Sequence, residues 1–115
     1  MTEKNNKSAT GPLAGVRILD LTSVILGPYA AQSLADFGAD VIKVEAPSGD
    51  IMRHVGPMRN PAIGHIYLNL NRIKRSVALD LKQSYARDAL RELAKSADVM
   101  VSNVRPAAMA RLGLG

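Results

Sequence analysis

The chain has 115 residues, a length that suits one domain, and it is 47% hydrophobic and 22% charged, which excludes a wholly disordered polypeptide. It has no cysteine, which excludes a disulfide framework, a thiolate metal site and a cysteine nucleophile within these residues and fits a reducing cytoplasm. The net charge of +5 suits nucleic acid, a small polyanion such as a nucleotide cofactor, or simply a solvated basic surface.

The amino terminus is polar. Residues 1–11 (MTEKNNKSATG) have no apolar segment, so they predict a disordered tail and not a secretory signal. No apolar run in the chain approaches the length that spans a bilayer. We therefore expect a cytoplasmic protein that does not bind membranes, with residues 12–115 in one folded unit.

Two strands separated by a helix open the predicted fold. Residues 17–21 (RILDL) and 40–45 (DVIKVE) are short and mostly apolar, as buried strands are. Between them, alanine and leucine recur at helical spacing after Pro28, which we place at the first helical position, and Gly38 marks the helix stop. This close succession is a βαβ unit, so the two strands should be parallel.

The next segment is interrupted. Proline and glycine recur through residues 46–64, which predicts mostly loop. A short helical turn is expected at 65–70 and a third strand at 77–79.

The last segment returns to regular structure. Ser84 is placed to cap a helix whose apolar stripe runs to Ala97. A strand at 98–101 follows, and Pro106 opens a final helix that reaches Leu112. Alternating strands and helices predict an α/β fold, a Rossmann-like open parallel sheet with flanking helices.

Ligands of open parallel sheets bind beyond the carboxyl ends of the strands, which directs attention to the loops at 22–27, 46–50 and 102–105. The first loop has one glycine, Gly27, where a dinucleotide-binding turn has three, so NAD or FAD is disfavoured even though Glu45 stands near the ribose-binding position. Histidines 54 and 65 lack partners at ligand spacing, so we expect no metal.

Basic residues are the more informative signal. They bind phosphate well, but the same residues often make surface salt bridges. Asp20 and Asp80, each ending a strand, are either catalytic carboxylates or turn caps. Composition and spacing alone thus indicate an α/β domain that binds a phosphorylated small molecule. The basic residues concerned are Arg72, Lys74, Arg75, Lys82, Arg105 and Arg111.

Four stretches carry a family resemblance: PLAGVRILDLT (12–22), GPYAAQSLADFGADVIKVEAPSGD (27–50), NRIKRSVALDLK (71–82) and ADVMVSNVRPAAMARLGL (97–114). In this order they resemble the amino-terminal region of the family III CoA-transferases, the formyl-CoA, carnitine and bile-acid CoA-transferase group. The resemblance implies the first, truncated part of a Rossmann-like large domain that binds coenzyme A, within a considerably longer chain that forms an interlocked homodimer.

The resemblance also implies a reaction that moves CoA from an acyl-CoA to a carboxylic acid, without metal or nucleic acid. In the family an aspartate attacks the thioester, giving an aspartyl anhydride and then an aspartyl-CoA thioester. No aspartate of this chain matches that residue, so we expect it beyond Gly115 and expect no transferase activity from this chain alone.

The family's CoA contacts can be carried over by position. Ala46 is a departure, because some members have an arginine there for the phosphate, and Arg53 or Arg105 are candidates to replace it. The matching positions are Ile25, Leu26, Leu79, Asp80, Lys82, Asn103, Val104, Arg105 and Arg111.

Other readings stay open. An α-methylacyl-CoA racemase has the same fold, although the stretch at 71–75 looks more like the transferases. A small basic nucleic-acid-binding module would suit the charge, but aromatic content of 3% argues against a single-strand binder. The chain could also lack activity, and with an open sheet edge we expect it to be aggregation-prone or partly molten alone.

Overall fold

Four strands and the helices between them make up the fold of the described residues, 11–56 and 64–111 of a computed structural model. The predicted tail, apart from Gly11, and the predicted helix end at Leu112 lie outside them. The elements, in chain order, are β1 (Arg17–Leu21), α1 (Leu26–Asp36), β2 (Asp40–Glu45), a 3-10 turn (Ile51–His54), α2 (His65–Leu70), β3 (Arg75–Ala78), α3 (Ser84–Lys95), β4 (Val99–Ser102) and α4 (Pro106–Arg111).

The strands form one parallel sheet in the order β3-β2-β1-β4. Leu19, in the centre of β1, lies opposite Ile42 of β2 on one side and Met100 of β4 on the other. Parallel neighbours require crossover connections, which α1, α2 and α3 supply. The predicted α/β class, with an open parallel sheet, is confirmed.

Both faces of the sheet are covered by helices. Successive side chains of a strand point to opposite faces, so β1 and β2 contribute to two separate cores. On one face Ile18 and Val41 pack with Ala31 and Ala35 of α1. This two-sided burial explains why both strands are nearly continuous apolar runs. The other face buries Leu19, Leu21, Ile42 and Val44 with Leu90 of α3 and Met109 of α4.

The two inner strands have the predicted bounds, whereas the two outer ones are shifted. β3 begins at Arg75 and ends at Ala78, where 77–79 was predicted, and β4 is displaced by one residue from 98–101. In β3, Arg75 and Ser76 pair with residues of β2, but both remain exposed to solvent. Polar residues are tolerated there, so the apolar pattern alone misplaces the strand.

Helix ends account for two further corrections. Ser84 is the first residue of α3 and makes no capping bond, because the N-cap is Gln83. Pro28 is the third residue of α1, which begins at Leu26; it still lies in the first turn, where the backbone N–H has no helical partner to lose. The predicted stop at Gly38 is confirmed by its φ of 103°.

The outer strands leave apolar groups open to solvent. Within the described residues β4 is paired only with β1, and its Val99 and Met100 are 46% and 48% exposed. The expectation that the isolated chain aggregates stays a prediction. None of the helices in residues 11–56 and 64–111 is long and apolar enough to cross a membrane.

Candidate functional site

A cavity of about 420 Å³ lies at the carboxyl end of the sheet. It is lined by residues 21–23 at the end of β1, 43–46 and 49–51 at the end of β2, 79–82 beyond β3, and Val104 beyond β4. All three loops that the sheet rule indicated contribute to it, which is where open parallel sheets bind ligands.

Four of the predicted contact residues line this cavity: Leu79, Asp80, Lys82 and Val104. Asp80 also has a local task, because its carboxylate accepts the backbone N–H of Lys82 at 3.2 Å and its carbonyl accepts that of Gln83 at 2.9 Å. Asp80 therefore caps the turn after β3, as one of the two sequence interpretations expected.

The remaining predicted contacts lie outside the lining of the cavity. Ile25 and Leu26 begin α1 with exposed side chains, and Arg105 is exposed beyond β4. The Arg111 guanidinium donates to the Ala107 carbonyl of its own helix at 3.4 Å. Asn103 does not line the cavity itself; its side-chain amide forms hydrogen bonds with the backbone of Ser23, which does.

Most of the clustered basic residues are engaged in ion pairs. Of the four basic residues between positions 72 and 82, three pair with carboxylates of other elements, which fits the salt-bridge interpretation, and the fourth, Lys82, lines the cavity. The pairs are Arg72 with Asp36 at 2.8 Å, Lys74 with Asp20 at 2.7 Å and Arg75 with Asp40 at 2.5 Å.

Two ion pairs are buried near the carboxyl end of the sheet, and the residues of one of them line the cavity. Lys43 and Asp50 are 3.0 Å apart with side chains that are each 1% exposed, and the Lys43 ammonium also donates to the Thr22 carbonyl at 3.1 Å. In the second pair, burial lowers the pKa of Lys74, an effect that the hydrogen bond to Asp20 opposes. Sequence reasoning did not single out Lys43; the available signal was a lysine inside an apolar strand.

Glu45 is the last residue of β2 and lines the cavity. Burial alone would raise its pKa, but hydrogen bonds from Arg53, Ser76 and the Asp50 N–H lower it to about 2. Arg53 makes two of these bonds, at 2.9 and 2.8 Å. Glu45 is therefore ionised throughout the physiological range.

Tyr67 completes this network from α2. The Arg53 guanidinium lies 3.9 Å from the centre of its ring, and its hydroxyl donates to Glu45 at 3.2 Å. Burial and the Glu45 charge raise the pKa of Tyr67 to about 12, so it stays protonated. The Arg53 guanidinium is thus held by contacts with Glu45 and Tyr67.

Within the described residues no group of three or more histidine, aspartate or glutamate side chains could hold a metal ion.

A parallel sheet in the order 3-2-1-4, with a cavity at its carboxyl edge, defines the class as a Rossmann-like α/β fold. Residues 13–115 match the model of CoA-transferase family III. The chain belongs to this family.

Two curated relatives illustrate the range of the family. The chain is 45% identical over 105 residues to human succinyl-CoA:glutarate CoA-transferase, covering 90% of this chain and 24% of the relative. It is 46% identical over 106 residues to formyl-CoA:oxalate CoA-transferase of Streptomyces avermitilis, covering 90% and 25%. The chain thus spans about a quarter of the length of these relatives.

Solved structures agree with the fold. A crystal structure of the hypothetical protein Rv3272 from Mycobacterium tuberculosis matches with a TM-score of 0.84 at 44% identity, over 94% of this chain and 30% of the other. A CAIB/BAIF family protein from Brucella suis matches with a TM-score of 0.86 at 34% identity, over 92% and 29%.

Proposed function

We propose that this chain is the coenzyme A-binding amino-terminal segment of an enzyme that moves CoA between carboxylic acids. The observation that carries the proposal is the cavity at the carboxyl edge of the sheet, lined by four residues at positions that the family resemblance assigns to CoA. Family membership and the names of the relatives, which are CoA-transferases of several acids, support the same reaction class.

The charge of the ligand restricts which residues can hold it. Coenzyme A carries a pyrophosphate and a 3′-phosphate, so its nucleotide end requires cations or backbone N–H groups. Lys82 lines the cavity, and Arg105 is exposed just beyond β4. Because Arg53 is bound to Glu45, Arg105 is the better candidate to replace the arginine that some family members have at the position of Ala46.

The covalent steps belong to the longer enzyme. An aspartate outside this chain attacks the acyl-CoA carbonyl and expels the CoA thiolate, leaving an acyl-aspartyl anhydride. The thiolate then attacks the aspartyl carbonyl and releases the donor carboxylate, leaving an aspartyl-CoA thioester. The acceptor carboxylate repeats these steps in reverse, which restores the aspartate. An interlocked homodimer in the cytoplasm is the proposed setting.

The aspartates that line the cavity or contact its lining are engaged in other interactions, which supports a catalytic aspartate elsewhere. Asp50 is buried against Lys43, and Asp20 against Lys74. Asp80 caps a turn. A carboxylate that is held in a buried ion pair is a poor nucleophile, because its negative charge is stabilised by the paired cation.

Calorimetric titration of the chain with CoA, with ADP and a short DNA duplex as controls, tests the binding step. We expect saturable binding of CoA that is tighter than that of ADP. Lys82→Ala should raise the Kd about tenfold, because a charge-assisted hydrogen bond contributes about 1.5 kcal/mol. Lys95→Ala is the matched control, since Lys95 is exposed at the far end of α3.

Three results would contradict the proposal. The first is an equal affinity for CoA and ADP, and the second is an equal loss of CoA affinity in the two lysine variants. The third is DNA binding that exceeds CoA binding and falls steeply with salt, which would favour the basic nucleic-acid-binding module.

A further inference from the structure

The loop between β1 and α1 contains a residue in a conformation that its side chain disfavours. Val24 has a φ of 74°, in the left-handed region. A β-branched side chain crowds the backbone there, whereas glycine and asparagine are tolerated. Such a conformation persists only where surrounding groups hold it, so the contacts of this loop are informative.

Side chains from two other loops hold the backbone at this point. The Asp50 carboxylate, beyond β2, accepts the Val24 N–H at 3.3 Å. The Asn103 amide, beyond β4, accepts the Ser23 N–H at 3.3 Å and donates to the Ser23 carbonyl at 3.0 Å. The loop after β1 is therefore held by the loops that follow both neighbouring strands, β2 and β4.

Asp50 is itself fixed in place. Its carboxylate pairs with buried Lys43 and also accepts the Met52 N–H at 3.0 Å, while its own N–H donates to Glu45 at 2.8 Å. Lys43 in turn donates to the carbonyl of Thr22, the first residue after β1. The carboxylate cannot turn away from Val24 without depriving the buried Lys43 ammonium of its anionic partner.

We propose that Asp50 and Asn103 are positioning residues, which hold the loop through the backbone of Ser23 and Val24 and so fix the cavity wall that Thr22 and Ser23 form. The proposal deepens the proposed CoA site and rests on it for its functional consequence. In this proposal Asn103 affects CoA binding by holding the backbone of the loop after β1, and not by contacting CoA itself.

Amide hydrogen exchange tests the positioning without any ligand. In Asn103→Ala we expect the Ser23 and Val24 amides to exchange at least about tenfold faster, since both lose the protection of a fixed loop. The Leu19 amide, in the centre of the sheet, should keep its wild-type rate. Asn103 is exposed, so the variant should fold. Unchanged exchange at Ser23 and Val24 would overturn the proposal.

A second background separates positioning from direct contact. Asn103→Ala should raise the Kd for CoA about tenfold, equivalent to about 1.4 kcal/mol. In a Val24→Asn background the loop tolerates the left-handed conformation, so the same substitution should raise the Kd only about threefold. A residue that only contacts CoA would show the same loss in both backgrounds, which would overturn the proposal.

The contribution of Asp50 to the protection of the Val24 amide is measured in a background in which its partner Lys43 is replaced by an uncharged residue. With Lys43→Met present, Asp50→Asn keeps an acceptor oxygen for Val24 and Asp50→Ala removes it. Faster exchange of the Val24 amide in the alanine variant than in the asparagine variant is expected; equal rates would remove Asp50 from the proposal. If wild-type chain failed to bind CoA, the proposed function would fall while the exchange data still decided the positioning.

Discussion

Glu45→Gln should remove most of an acid-sensitive contribution to stability. Burial raises the pKa of Glu45, but hydrogen bonds from Arg53, Ser76 and the Asp50 N–H lower it from 4.5 to about 2. Each pKa unit corresponds to about 1.4 kcal/mol, so the network contributes about 3 kcal/mol. Because the folded pKa is the lower one, this stability is present above pH 4.5 and is lost as the pH falls through 2.

Urea unfolding followed by circular dichroism at several pH values between 7 and 2 measures this contribution. The wild-type chain should lose about 3 kcal/mol more than Glu45→Gln over that range. Asp88→Asn, which removes an exposed carboxylate 3.1 Å from Arg91, is the control and should follow the wild type. Parallel pH profiles of the wild type and Glu45→Gln would refute the reasoning.

Two substitutions near the cavity should also destabilise the fold, as chemical denaturation would measure. Gly27→Ala should cost about 1–3 kcal/mol, because a Cβ atom there would lie 2.4 Å from the Cβ of Thr22; a cost below about 0.5 kcal/mol would contradict this packing. Lys74→Met should cost about 3–5 kcal/mol by leaving the buried Asp20 carboxylate without its paired cation, whereas Lys95→Met on the surface should cost less than about 1 kcal/mol. Equal losses in the two lysine variants would contradict the buried pair.

The two central strands could be predicted from the sequence because a strand that is buried on both faces is a nearly continuous run of apolar residues. β1 and β2 are buried on both faces and mostly apolar, and their bounds match the prediction to the residue. β3 was misplaced, because an outer strand admits exposed Arg75 and Ser76. Ser84 suggested a cap by residue type, but the chain enters α3 through Gln83 without a side-chain cap.

The location of the cavity could be predicted from the sequence, but the ion pairs around it could not. The rule for open parallel sheets indicates three loops, and each of them contributes to the cavity lining. The pairing of Lys74 with Asp20, 54 residues apart, depends on how the strands are ordered, which no local spacing encodes. Lys43 inside a mostly apolar strand was a local indication of a buried charge, but its partner could not be named without the structure.

Backbone resonances of the chain during titration with CoA would test the central claim most directly. Binding at the carboxyl edge of the sheet predicts saturable shifts of the amides at 79–82, Ser23 and Val104. Amides at the opposite edge, such as those of Asp40 and Asp98, should not move. Shifts confined to that opposite edge, or none at saturating CoA, would contradict the assignment of this cavity to coenzyme A.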